Sequence, residues 1–269
     1  MFPSSDAFKN KTLILPAVSF ANVGQLASDI LISTSLSTSD GESSGHIQSR
    51  NILPICGANA YGIGSKLSTP CELFIVPTAN VVIMQRRSMC VKGRSGAFAA
   101  ELVAWFKEQQ FKEIIILAGA DSGSLRDRAM HEGLQQGLIH FLTTSTVHDK
   151  LEYASWQRYT QRERDSNGDV MVSSSSSSST NYPSNIHFAG ISKRLFALCE
   201  AQNIPVISLV CFVSEGNNVR DGIRLATSVC EHLPGLIPKG KENKPGRWII
   251  PPSWNCLSQN GPVGPEMFY

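Results

Sequence analysis

Between Ile204 and Leu233 the chain reads IPVISLVCFVSEGNNVRDGIRLATSVCEHL. Val206 to Val213 is predominantly apolar and rich in β-branched residues, the pattern of a strand buried on both faces. Ser214, Glu215, Gly216 and Asn217 break that run with turn chemistry. Asn218 is placed to cap a helix, and Asp221 puts a carboxylate near its N-terminus. Val219, Ile223, Ala226, Val229 and Leu233 then recur at helical spacing. A strand with two apolar faces needs cover on both sides. The unit therefore predicts an α/β fold around a largely parallel sheet.

The rest of the chain alternates in the same way. Thr12 to Val18 predicts a first buried strand, with Pro16 marking a strand end or an edge. Asn22 is expected to cap a helix from Val23 to about Thr34, striped by Leu26, Ile30 and Leu31. The Ser/Gly-rich stretch Ser33 to Ser49 predicts a loop or weak strand, and Ile52 to Cys56 is a short apolar run. Glu72 to Val76 and Val81 to Arg87 predict a hairpin about Pro77-Thr78-Ala79-Asn80. Gly96 to Gln110 is helical, with Phe98, Leu102, Trp105 and Phe106 on one face. Lys112 to Ala118 is a second strong strand, followed by a loop from Gly119 to Arg128. Leu138 to Leu142 predicts a short strand, His148 to Arg164 a polar helix, and Gly190 to Gln202 another helix.

Asp165 to Asn185 contains the serine run Ser173 to Ser179. It has too little apolar surface to offset chain entropy and is expected to be a disordered insertion. These elements predict a three-layer α/β/α sandwich on a mixed, mostly parallel sheet. The domain is expected over residues 1–238, interrupted at 165–185. A Pro/Gly/Lys linker and an extended C-terminal tail follow over 239–269. Within that tail, Arg247 to Trp254 carries two Trp and is expected to pack back on the body, with a mobile stretch beyond it.

A chain of 269 residues with 42% hydrophobic content can bury a full core. Its formal charge of +2 excludes a strong electrostatic footprint for nucleic acid. Arg86, Arg87, Lys92 and Arg94 make one small basic patch, read as a solvated strand edge and loop. The N-terminus has no apolar run of signal-peptide type, and no run approaches the about 20 residues of a spanning helix. Seven scattered cysteines, without a C-x-x-C pair, resemble free thiols of a reducing compartment. The expected location is the cytoplasm and nucleus.

Catalytic chemistry is sparse. Gly57 to Gly64 is glycine-rich after an apolar run, but it lacks phosphate-loop spacing and a following helix, so it reads as a flexible connection. Asp121 and Ser122 follow a strand, where α/β enzymes place catalytic groups, yet turn formers give the same sequence. Glu215 stands in a similar position without a partner. The six histidines form no metal-ligand spacing. Trp105 and Phe106 read as core. Trp156 and Tyr159 read as packing residues, with an interaction surface as the alternative.

Three stretches carry a resemblance. The first is Leu13-Ile-Leu-Pro-Ala-Val-Ser-Phe-Ala-Asn-Val-Gly-Gln-Leu-Ala27, continuing from Asp29 through Thr34. The second is Phe212-Val-Ser-Glu-Gly-Asn-Asn218. The third is Arg247-Trp248 with Pro251, Ser253 and Trp254. Together they resemble the proteasome assembly chaperone family, specifically its chaperone 2 type. The resemblance implies a protein without catalytic residues, cofactor or metal. It implies a heterodimer with proteasome assembly chaperone 1 and binding to the α-subunits of the 20S proteasome. The pair would scaffold the α-ring and prevent off-pathway α-ring dimers. Nucleic acid and membranes are not implied as partners. The family's tails can end in a hydrophobic-Tyr-any tripeptide that enters pockets between α-subunits. Here Met267 occupies the hydrophobic position, Phe268 stands where Tyr is usual, and Tyr269 supplies the α-carboxylate. The alternative is a phosphorylase- or hydrolase-like α/β enzyme acting on a small molecule near Gly57–Gly64 and Asp121.

Overall fold

The computed structural model describes residues 2–3, 6–38, 41–62, 67–123, 139–147, 151–159, 162–164, 170–172, 186, 190–237 and 248–254. Its strands are β1 (Thr12–Pro16), β2 (Glu42–His46), β3 (Cys71–Val76), β4 (Val81–Arg86), β5 (Glu113–Asp121), β6 (Ile139–Thr143), β7 (Trp156–Arg158), β8 (Arg162–Arg164), β9 (Val170–Val172) and β10 (Val206–Val213). Its helices are α1 (Val23–Ser37), α2 (Ser95–Gln109), α3 (Ser192–Ala201) and α4 (Val219–His232).

Eight strands form one mixed sheet in the order β2-β3-β4-β1-β5-β10-β6-β7. The centre, β4-β1-β5-β10, is parallel, with Leu13 beside both Val82 and Ile114 and Val206 beside Ile114. Antiparallel pairs flank it on both sides. The central strands are buried on both faces, as their continuous apolar runs require. One core packs α2 and α3 on one face, with Phe98, Leu102, Trp105, Leu195 and Phe196 buried there. The other packs α1 and α4, with Leu26, Ile30, Leu225 and Val229. This is the expected α/β/α sandwich. Pro16 is the last residue of an interior strand and still aligns with Leu117. Its missing N–H falls where the ladder ends.

Several local expectations are corrected. α1 runs on to Ser37, because Thr34, Ser35 and Ser37 turn their hydroxyls back onto the carbonyls of Ile30, Leu31 and Ser33 at 2.7–2.9 Å. Ser/Thr-rich composition there is helix, not loop. Neither Asn22 nor Asn218 caps its helix with a side-chain bond. Asn218 instead donates back to the carbonyls of Ser214 and Gly216, and Asn217 accepts from the Val219 amide. β5 extends to Asp121, three residues beyond the expected strand.

Of the helix expected over His148 to Arg164, the described residues form none: they carry the strands β7 and β8. β7 pairs with β6, Ile139 beside Trp156, and β8 pairs with β9. Trp, Tyr and Thr favour a half-buried sheet edge, and that tertiary setting outweighs a weak helical period. β9 also places Val170–Val172, inside the expected disordered insertion, in a short strand. The serines 173–179 lie outside the described residues. After α4, Leu236 and Ile237 are buried, so the packed body continues beyond the helix. Of the cysteines, Cys71, Cys199 and Cys211 are buried free thiols. Burial pushes Cys71 and Cys199 up to about 12.

Candidate functional site

Among the described residues, the tail is fixed to the body over 248–254. The Trp254 side chain is buried, and the turn at Pro252–Trp254 closes with a 2.9 Å bond from the Trp254 amide to the Pro251 carbonyl. The Ser253 amide donates to the Ala60 carbonyl at 3.2 Å, and the Ile249 amide to the Thr34 hydroxyl at 3.1 Å. Gly62, at φ 68°, lies under the Pro252 ring, where a β-carbon would crowd it. Trp248 packs against the same core as α1. The segment expected to anchor the tail therefore does so from Trp248 to Trp254, bridging α1 and the loop after Gly57. Met267, Phe268 and Tyr269 lie outside the described residues.

Beneath this anchor is a buried polar network that the sequence reading missed. Asp29, on α1, accepts bonds from the Tyr61 hydroxyl at 2.8 Å, the Gln85 amide at 2.7 Å and Arg87 at 2.8 Å. Arg87 also faces Glu72 at 3.7 Å and lies over the Tyr61 ring. Burial alone would lower the Arg87 pKa, but Asp29 and then Tyr61 hold it raised. Burial, reinforced by Asp29, lifts the Tyr61 hydroxyl well above its ordinary range. These partners come from residues 29, 61, 72, 85 and 87, and only the sheet brings them together. The expected solvated basic edge is corrected accordingly. Arg87 is ion-paired under the anchor, and Arg86 is 1% exposed on the other face, with its guanidinium 5.4 Å from the Phe98 ring centroid. The alternation of β4, carried one residue past its end, sends the two neighbouring arginines to opposite faces of the sheet.

The carboxyl ends of the parallel strands, where α/β enzymes hold substrates, are filled by the chain itself. The Phe20 carbonyl lies where a β-carbon on residue 119 would have to stand, so only Gly119 fits. The Gly119 amide donates to the Ser19 hydroxyl at 2.9 Å. Asp121 accepts from the Gly123 amide, and the Ser122 and Ser214 hydroxyls meet at 2.8 Å. These are turn-closing contacts between β5 and β10. Glu215 is exposed beyond them. Gly57 bridges Ser68, which fixes the glycine-rich loop to the chain before β3. Among the described residues no group of three His, Cys, Asp or Glu could hold a metal ion. No described helix is long and apolar enough to cross a membrane.

Two further features escaped the sequence reading. The Tyr153 hydroxyl meets His232 Nδ1 at 2.9 Å, and His232 Nε2 meets Glu113 at 3.2 Å. Thr12 donates to the same Glu113 at 2.9 Å. This chain ties the start of β1 and β5 to the last turn of α4. The other feature is apolar and exposed. Leu53, Ile55, Leu67 and Met89 are 40%, 45%, 62% and 50% exposed. Of the short apolar run Ile52 to Cys56, Ile52 is buried and the rest is exposed. Trp105 and Phe106 are core, as expected, and Trp156 packs with Tyr153 and Phe141.

Comparison with known proteins agrees with this architecture. Residues 13–238 match the PAC2 family. A Nematostella vectensis protein called proteasome assembly chaperone 2 is 33% identical over 225 residues, covering 81% of this chain and 87% of that protein. The Homo sapiens protein of the same name is 29% identical, covering 96% of this chain and 94% of its own. Among solved structures, a Thermoplasma acidophilum protein of unknown function superposes with a TM-score of 0.59 at 15% identity, covering 83% of this chain and 76% of that one. Pyrococcus furiosus PbaA, an archaeal homolog of proteasome-assembly chaperone, gives 0.53 at 14% identity, covering 87% and 84%. The structures share the fold, and the match over residues 13–238 adds the lineage: the chain belongs to the PAC2 family.

Proposed function

We propose that this chain is a chaperone of 20S proteasome assembly and acts without catalysis. In this reading it forms a heterodimer with proteasome assembly chaperone 1, in the cytoplasm and nucleus. The pair holds α-subunits as they close into a ring and keeps finished rings from dimerising off-pathway. The observation that carries the reading is near end-to-end similarity, over 96% of the chain, to a protein named proteasome assembly chaperone 2.

Two features of the fold support it. The crevice a small-molecule enzyme would use is occupied by Ser19 and the Phe20 carbonyl, which disfavours the phosphorylase- or hydrolase-like alternative. Trp254 is buried in the body and fixed there. From there the residues up to Tyr269 span roughly 50 Å if extended at about 3.3 Å each. That is enough for Met267 and Phe268 to enter a pocket on a neighbouring subunit, with the Tyr269 carboxylate paired to a lysine there. The test is recovery of the tagged full-length chain from cells, with identification of what comes with it. Co-recovery of α-type proteasome subunits and the paired chaperone is expected, and their absence from an otherwise soluble preparation overturns the reading. Removing Met267 to Tyr269, in a pair whose partner also lacks its tail, is expected to weaken binding to α-rings. Unchanged binding would remove the tail from the proposal.

A further inference from the structure

The exposed apolar residues after Asn51 and around Met89 form one surface. The Leu53 amide donates to the Met89 carbonyl at 3.0 Å, Ile52 bridges Cys90, and the Val91 amide donates to the Asn51 carbonyl at 2.9 Å. Gly57 and Ser68 exchange two backbone bonds, which sets Leu67 beside the end of the same loop. Leu53, Ile55, Leu67 and Met89 therefore project from two short main-chain pairings, at the end of the sheet where β4 finishes. Four large side chains, each 40% exposed or more, on adjoining segments are a patch rather than scattered surface residues.

Its charge is one-sided. Lys92 and Arg94, on the segment that carries Met89, are exposed, and among the described residues no carboxylate pairs with either. Arg94 reaches only the Asn51 side-chain oxygen, at 3.4 Å. Glu101 accepts from the Ser49 hydroxyl at 2.6 Å and the Asn51 amide at 2.8 Å; these neutral donors leave it charged, so it offsets part of the rim and leaves a net positive excess. Just inside the patch, Arg86 Nε and Nη1 are buried without a hydrogen-bond partner. Arg86 couples electrostatically to the Cys90 and Cys71 thiols, which burial keeps protonated and neutral. Positive charge is thus in excess at the rim, with a further cation buried behind it, and a partner's carboxylates would complement it.

We propose that Leu53, Ile55, Leu67 and Met89, with Lys92 and Arg94 at their rim, are the face on which this chain takes a different polypeptide, one presenting apolar side chains flanked by carboxylates. A second copy of this chain does not fit, because a symmetric contact sets each patch against itself and brings basic rim to basic rim. The charge pattern selects a hetero-partner, since like charges facing each other suppress wrong pairings. The inference rests on the heterodimer reading above and specifies which surface serves it.

The experiment uses the full-length chain and the paired chaperone, with affinity and association rate measured at two salt concentrations. Leu53→Asp with Met89→Asp removes the apolar contact, and Lys92→Glu with Arg94→Glu reverses the rim. All four positions are exposed, so both variants should keep the wild-type Tm. Each is expected to weaken binding at least about tenfold, and the rim variant should also lose the salt dependence of association. In the wild type, hydrogen exchange at 51–56 and 87–91 should slow when the partner is added. If the wild-type chain binds and both variants bind equally well, or exchange slows elsewhere only, the face is wrong while the function stands. A wild-type chain that ignores the partner overturns the function and the face together. A homodimer of this chain that Met89→Asp dissociates overturns the hetero-partner assignment.

Discussion

Helices α1 and α2 have the same length and cover opposite faces of one sheet, yet they are held by different physics. α2 buries a single stripe, with Phe98, Leu102, Trp105 and Phe106 inward and Ala104 and Lys107 outward. Around Trp105 lie Phe2, Phe8, Phe106 and Phe111, all with ring centroids within 6.0 Å, and its indole N–H donates to the Pro3 carbonyl at 2.7 Å. α1 is buried nearly all round, from Val23 to Ser35, and carries Ser28, Asp29, Ser33, Thr34 and Ser35 into the interior. The reason is position. The sheet, α4, the loop through Tyr61 and the tail anchor all touch α1, so even its polar side has no access to water. The hydroxyls of Thr34, Ser35 and Ser37 bond to the helix's own carbonyls, and its carboxylate takes three side-chain donors. The apolar face is sensitive to missing volume, whereas the polar face is sensitive to a lost charge partner.

The largest effect that would sharpen this contrast is Trp105→Ala. It leaves a cavity in a close-packed aromatic group and is expected to cost about 3–5 kcal/mol in urea unfolding. A loss under about 1 kcal/mol would mean that the group repacks and that α2 is not the rigid side. On the other face, Asp29→Ala is expected to cost about 3 kcal/mol, near the low end for a broken buried pair because Arg87 is a quarter exposed. The diagnostic is the second substitution. Adding Arg87→Met removes the orphaned charge and should recover part of the loss, which no second change at Trp105's neighbours would do. If the double variant is no better than Asp29→Ala, the network is held by packing alone and the two faces are alike.

The tail anchor tests whether α1 depends on its third cover. Trp254→Ala is expected to cost about 2 kcal/mol, less than Trp105→Ala, because a terminal segment can detach locally instead of enclosing a void. Hydrogen exchange should then speed up at Ser253 and Ile249, with α2 unaffected. Equal protection in both proteins would show that the anchor holds through Trp248 and Pro251 without Trp254.

What was legible in the sequence follows the same division. The parallel centre and α2 could be read because their signals are local, either a β-branched run or an apolar stripe at 3.6 spacing. α1 could be read only to Thr34, since its hydroxyls satisfy themselves inside the helix and resemble loop composition. β7 was read as helix because its order comes from β6 beside it, not from its own period. Arg86 and Arg87 looked like one surface patch. Which core each enters depends on strand alternation, and what each meets depends on residues up to 58 positions away. The Asp29 network and the Glu113–His232–Tyr153 chain had no motif to find, being assembled wholly by topology. The tail anchor was legible by resemblance, and its docking site on Thr34 and Ala60 was not.

The smallest expected effect sets two carboxylates of the α1/α4 face against each other as pH falls. Burial alone would raise Glu113, but the His232 hydrogen bond and charge, then Thr12 and Lys112, hold it below the ordinary carboxylate range. A depressed folded pKa stabilises the fold above the unfolded value of about 4.3, and that contribution is lost as pH falls through the folded value. Glu72 has the opposite sign. Burial raises it, against the pull of Arg87 and the Thr69 backbone. Its contribution is full below the unfolded value and declines as pH rises through the folded one. The two slopes therefore oppose, Glu113 acting below and Glu72 above the ordinary carboxylate range. Glu113→Gln should lower stability at neutral pH and flatten the acid loss. Glu72→Gln, which mimics the protonated form, should raise stability at neutral pH and steepen the acid loss. Urea midpoints across that range, for both variants and the wild type, check the signs. Parallel curves for the two variants would mean that neither carboxylate is linked to folding and that the polar contacts around them are incidental.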